Sequence, residues 1–230
     1  MDQLEKKLLN GPNPLLSSTL GDVCALWFEK NSLKTTASER LRMIEKGLKQ
    51  NPEQAKLREH LIEAARANDT SGQAAKKILN QLVAEATGSA AAQWHLALGR
   101  EARSKGNIAA ARLELQSAYG VAPHLTQIRT ELASLLLSGN QEDLNQALEM
   151  IQPVVEQFPQ NPEFRNIRGQ ILAGMGRNQT AVADLEYAAS KLASSQQIHL
   201  LLARVYESLN QPKQAEKQRQ LAKSATPPRP

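Results

Sequence analysis

Between Leu96 and Pro123 the apolar residues fall at helical spacing, with one interruption. Leu98 and Ala102 precede the polar break Lys105-Gly106-Asn107; Ile108, Ala111, Leu115 and Ala118 follow it. Intervals of three and four residues put each set on one face of a helix. The Gly-containing break between them reads as a turn. The stretch therefore predicts two amphipathic helices joined tightly, with Pro123 stopping the second. The same alternation recurs downstream, broken at Gly176-Arg177-Asn178 and again at Asn210-Gln211-Pro212.

The recurrence has a register. Leu98-Gly99 is followed by Leu132-Ala133, Arg168-Gly169 and Leu202-Ala203, in steps of 34, 36 and 34 residues. Ala111 is followed by Ala147, Ala181 and Ala215, in steps of 36, 34 and 34. Leu115 returns as Ile151 and Leu185, Ala118 as Val154, Ala188 and Ala222, and Pro123 as Pro159. Several independent columns share one period, which marks a repeat architecture. Small residues at such fixed offsets have a physical use. Gly99 and Ala133 on the first helix, and the Ala column on the second, let two backbones approach where the helices cross.

These columns resemble the tetratricopeptide repeat (TPR) family, a 34-residue helix–turn–helix with Leu-Gly, Ala, Ala and Pro at set places. Trp94 stands one residue before the motif's Trp place, which His95 occupies, and Tyr206 matches the motif's Tyr. Other aromatic places carry Leu or Ile. The resemblance is strongest over 92–224 and weaker upstream. There Leu20-Gly21 forms another pair, residues 44–52 close like a second helix, and Glu29–Thr36 lengthens a turn. It implies an all-α fold, an α-solenoid of about six hairpins in a right-handed superhelix. The expected divisions are 14–53, 54–90, 92–125, 126–161, 162–195 and 196–224, the last helix capping.

The flanks carry expectations of their own. Residues 1–13 read either as half of a preceding hairpin, with Leu4 and Leu8 inward and Pro12 closing it, or as a capping helix. The first reading would make the chain a fragment of a longer array. At the other end Arg219 replaces a large apolar residue, and the polar outer face of that helix suits a terminal cap. Residues 225–230, ending TPPRP, read as a disordered tail.

Composition narrows the chemistry. Aromatic residues make up only 3% of the chain and apolar residues 41%, so the core must be built from Leu, Ile, Val and closely packed Ala. The net charge of +5 favours acidic partners weakly. Cys24 has no second cysteine to pair with and sits in an apolar run, as a buried structural thiol would. The four histidines show no metal-ligand spacing. His95 and His199 fill one repeat column and read as structural. There is no glycine-rich phosphate loop, nucleophile elbow or Cys-x-x-Cys pair. The chain is therefore expected to be no enzyme, with no cofactor or metal. With no signal peptide and no apolar run long enough to span a bilayer, it is assigned by default to the cytoplasm. A longer parent protein could instead be membrane-anchored or exported.

The resemblance also implies where a ligand would sit, since first helices line the concave face on which the family holds peptides or partner helices. The matching positions are Gln93, Leu96, Arg100 and Arg103; Gln127, Thr130 and Ser134; Glu163, Asn166 and Gln170; and Gln197, Leu200, Arg204 and Glu207. The Lys/Asn pattern with which some members clamp a C-terminal carboxylate is missing. The function implied is a non-catalytic scaffold binding a peptide or protein partner. A regulatory or substrate-docking segment of a larger enzyme or assembly factor is the alternative. RNA binding is disfavoured, because basic residues are dispersed and stacking aromatics scarce.

Overall fold

A computed structural model describes residues 35–192 and 196–225. Among these residues the chain forms eleven α-helices and no strand. They are α1 (Ala37–Gln50), α2 (Ala55–Ala64), α3 (Thr70–Glu85), α4 (Gly88–Ser104), α5 (Ile108–Val121) and α6 (Thr126–Leu136). Then come α7 (Gln141–Gln157), α8 (Pro162–Gly174), α9 (Asn178–Lys191), α10 (Gln196–Ser208) and α11 (Pro212–Ser224). The expectations for residues 1–13, Leu20-Gly21, Cys24 and the tail beyond 225 lie outside the described residues.

The chain divides into two compact units, residues 1–122 and 123–230. The first holds α1 and the hairpins α2–α3 and α4–α5. The second holds the hairpins α6–α7, α8–α9 and α10–α11. This is an all-α array of helical hairpins, as the periodicity predicted. In the first unit Leu41, Ile44 and Leu48 of α1 pack with Leu57 and Leu61 of α2, Leu82 of α3 and Trp94 of α4. In the second, Leu172, Leu185, Ile198, Leu202 and Tyr206 form a core with Ala181, Ala188 and Ala215.

The small-residue columns sit at the helix crossings. A Cβ added to Gly99 would lie 2.8 Å from Leu115 Cγ, and one added to Gly169 would lie 2.8 Å from Leu185 Cγ. At these two crossings the leucine of the partner helix leaves no room for a Cβ, whereas Ala133 and Ala203 fill the same column elsewhere. On the second helices Ala111, Ala147, Ala181 and Ala215 are all fully buried.

Three turns are copies of one another. Gly106, Gly176 and Asn210 occupy the left-handed region at φ 74°, 73° and 57°. The next backbone N–H returns to the first helix in each case: Asn107 to Ala102 O, Arg177 to Leu172 O and Gln211 to Tyr206 O. This is the hydrogen bond that closes a helix C-terminus when its following residue turns left-handed. The α6–α7 turn departs from the pattern. Here α6 is only 11 residues long and α7 is 17, opened by a reciprocal cap between Asn140 and Asp143. The extra residues behind the 36-residue steps are therefore absorbed by an earlier start of α7.

Candidate functional site

Helix α8 is set by its cap and its glycine. Asn161 Oδ1 accepts from the backbone N–H of Glu163 at 2.9 Å and of Phe164 at 3.2 Å, and Pro162 supplies a preset first turn. Gly169 seats one face of α8 on α9. A polar cluster reinforces that seat. Asp184 of α9, whose side chain is 3% exposed, accepts from Arg165 Nε at 2.9 Å and from Arg168 Nε at 2.6 Å. Arg168 also donates to Gln152 of α7 at 3.2 Å. The Arg165 guanidinium lies 4.3 Å from the Tyr187 ring centroid, within cation–π range. Arg168 stands in a column that carries Leu in other repeats, and the buried carboxylate is what makes a charge tolerable there.

Helix α10 is held from two sides. His199 Nδ1 meets Gln218 of α11 at 2.6 Å, and Tyr206 donates its hydroxyl hydrogen to Glu186 of α9 at 2.6 Å. Burial, together with the carboxylate beside it, pushes the Tyr206 phenol up to about 12. His95 meets Glu114 at 2.8 Å in the same register in hairpin α4–α5. Both histidines thus serve to seat a first helix on its second.

With α8 and α10 pinned to α9, the faces they leave open border one groove. A part of about 540 Å³ is lined by Glu163, Asn166 and Gln170 of α8 and by Gln197, Ile198, Leu201 and Arg204 of α10, with Leu192. A continuation of about 470 Å³ shares Gln170, Leu201 and Arg204 and runs past Ala173 and Val205 to Leu137 and Ser138. Five positions named from the sequence (Glu163, Asn166, Gln170, Gln197 and Arg204) therefore meet around one space. Gln170 donates to Asn166 Oδ1 at 3.0 Å, which aligns the two amides along the wall.

The remaining named positions behave differently. Leu96 is a correction. It is 1% exposed, as is neighbouring Trp94, and a side chain without surface has nothing to offer a ligand. Its apolar character drew it inward, where burial of a Leu is worth about 1.5–3 kcal/mol. Gln93 accepts at 3.3 Å from Nη2 of Arg58, whose Nη1 reaches Pro52 O at 2.6 Å, while its buried Nε has no partner among the described residues. Burial lowers the Arg58 pKa, and acceptors such as Gln93 answer the cost of placing a guanidinium inside. Thr130 bonds back to Thr126 O within α6 at 2.8 Å. Arg100, Arg103 and Gln127 are exposed, and Ser134 is half-buried. Glu207 is engaged by Arg219 of α11. Sequence reasoning passed over Leu201 and Ile198, the apolar part of the groove. Leu201 lies four residues after Gln197 on the same face, and that spacing was the available signal.

Among the described residues no group of three or more His, Cys, Asp or Glu side chains could hold a metal ion. No helix among them is long and apolar enough to cross a membrane.

Comparison with known proteins identifies the fold. The tetratricopeptide repeat-like domain family matches residues 45–211. No curated protein matches the chain. Among solved structures, YrrB, described as a TPR protein with an unusual peptide-binding site, superposes with a TM-score of 0.61 at 17% identity, over 80% of this chain and 92% of its own. MamA of AMB-1 superposes with a TM-score of 0.57 at 21% identity, over 73% of this chain and 96% of its own. A thermophilic TPR protein of Thermus thermophilus gives 0.50 at 19%, over 77% and 91%. At these identities the likeness is one of fold.

Proposed function

The chain belongs to the tetratricopeptide repeat-like family, and we propose that it is a non-catalytic scaffold that holds an extended segment of a protein partner along its first helices. The groove between α8 and α10 is the centre of the site. The observation that carries this reading is the convergence of Glu163, Asn166, Gln170, Gln197 and Arg204, from two successive repeats, on one open groove with Ile198 and Leu201 among its walls. Amide side chains both donate and accept, so they can pair with a peptide backbone without demanding one sequence. Half-buried Leu201, backed by the core residue Ile198, offers an apolar side chain a place out of water. YrrB, a protein of this fold, is described by its peptide-binding site, which supports a peptide as the ligand class here.

Selection of a random peptide library against the chain tests the reading. Selected peptides are then titrated by fluorescence anisotropy against the native chain and a Gln170→Trp variant whose fold is confirmed by circular dichroism. Gln170 borders both parts of the groove, so the indole fills its centre. Loss of binding in the variant is the expected result. Peptides that bind both proteins equally would move the site off this groove.

A further inference from the structure

We propose that the groove takes a bipolar ligand: an extended peptide with a cationic side chain at Glu163 and a carboxylate at Arg204, about three or four residues apart. This rests on the reading of the groove as a peptide site and adds the charge pattern and spacing of what enters it.

Among the described residues lining the 540 Å³ part, Glu163 is the carboxylate and Arg204 the cation, and the other polar side chains are the amides of Asn166, Gln170 and Gln197. The charges around them are engaged elsewhere. Arg165 and Arg168 are held by Asp184, and Glu207 by Arg219. Glu163 and Arg204 are both exposed. Neither side chain pairs with another described residue, so both remain available to a ligand.

The spacing follows from helix geometry. The 540 Å³ part brings residues 163–170 beside 197–204, and its continuation brings 170–174 beside 201–208, so α8 and α10 run parallel. Arg204 therefore stands level with Gln170, seven residues along from Glu163. At 1.5 Å per residue that is about 10 Å along the axis, and neighbouring helix axes lie roughly a further 8–10 Å apart. An extended chain advances about 3.3 Å per residue, so charges three or four residues apart bridge the two ends. Between them, Leu201 faces the middle of the ligand over the core residue Ile198, where an apolar side chain fits. A peptide of one sign of charge would meet attraction at one end and repulsion at the other.

The test repeats the library selection on the native chain and on three variants, Arg204→Glu, Glu163→Lys and the double reversal. Both positions are exposed, so all four proteins are expected to fold, and circular dichroism checks this. Binders of the native chain that Gln170→Trp abolishes are expected to be enriched about fivefold in an acid and a base three or four residues apart. Arg204→Glu should move that enrichment to pairs of bases, Glu163→Lys to pairs of acids, and the double reversal should restore the mixed pair. Natively selected peptides should lose about tenfold in affinity on either single reversal at low ionic strength, and less in high salt. Groove-blockable binders with no charge pairing, or with an unchanged preference in the variants, would overturn the bipolar ligand and leave the groove in place. An absence of any binder sensitive to Gln170→Trp would overturn the groove itself, and this proposal with it.

Discussion

Hairpins α4–α5 and α8–α9 share a backbone plan and differ in what fills it. Both cross at a glycine pressed against a leucine of the second helix, Gly99 on Leu115 and Gly169 on Leu185, with the same 2.8 Å approach. Both seat the first helix through a polar pair nineteen residues apart, His95 with Glu114 and Arg165 with Asp184. Around the crossing they diverge. Hairpin α4–α5 places Leu98 before its glycine, whereas α8–α9 places Arg168 there and answers it with a buried carboxylate. The outer face of α5 exposes Ile108 and Leu113, at 53% and 68%. The matching positions of α9 carry half-buried Asn178 and an exposed but small Ala183. The comparison separates two requirements. Backbone approach admits only glycine or alanine along the column, while the seat beside it can be built from aliphatic packing or from a satisfied ion cluster.

The largest expected effect breaks the ion cluster. Asp184→Ala leaves two partly buried guanidiniums facing each other and should destabilise the chain by about 3 kcal/mol, measured by urea denaturation. Ala at the matching Glu114, which is half-buried opposite His95, should cost much less. Equal effects at the two sites would show that the pair in α8–α9 is no more than surface decoration. Next come the crossings. Gly99→Ala and Gly169→Ala should each cost about 1–3 kcal/mol, because the added methyl meets a leucine branch point it cannot displace freely. Hairpin α4–α5 contains its own control. A methyl added to Gly120 of α5 would meet nothing within 4 Å, and Gly120→Ala should stabilise by about 0.5–1 kcal/mol through lost unfolded-state entropy. A stabilising Gly99→Ala would dissolve the distinction between the two kinds of glycine.

The smallest effect concerns the seam between α9 and α10. Tyr206 loses its proton only near pH 12 in the folded chain, against about 10 when unfolded. The raised value means the folded state holds this proton more tightly. Its contribution to stability is complete below about pH 10 and is lost as pH rises from there towards about 12. Ultraviolet titration of the tyrosinate should show one phenol ionising late, and Tyr206→Phe should remove that late step. If all three tyrosines titrated together near pH 10, the buried hydroxyl would be contradicted.

Much of the fold was legible because small residues and helical spacing are local properties that repeat. Gly99 and Gly169, the buried Ala column and the left-handed turns at Gly106 and Gly176 could all be read from offsets along the chain. In helix α5 the spacing placed Ile108 on the inward face with Ala111, Leu115 and Ala118, but the structure leaves it 53% exposed while those three are buried. The site was legible where the face was polar and incomplete where it was apolar. Glu163, Asn166, Gln170, Gln197 and Arg204 were found by column, but Leu201 and Ile198 looked like ordinary core.

The sequence by itself determined the period, the hairpin, and the places where two backbones must touch, because a small side chain has one steric meaning wherever the pattern recurs. Only the tertiary structure decided which side chains of a column remain available. Leu96, Asn166 and Leu200 share a repeat position, yet the first is buried, the second lines a groove and the third is 42% exposed. Gln93 is held by Arg58, while Gln197, in the same column, lines the groove. Periodicity sets the direction in which a residue points. What meets it there depends on neighbours that are distant in the chain, and their chemistry is not periodic.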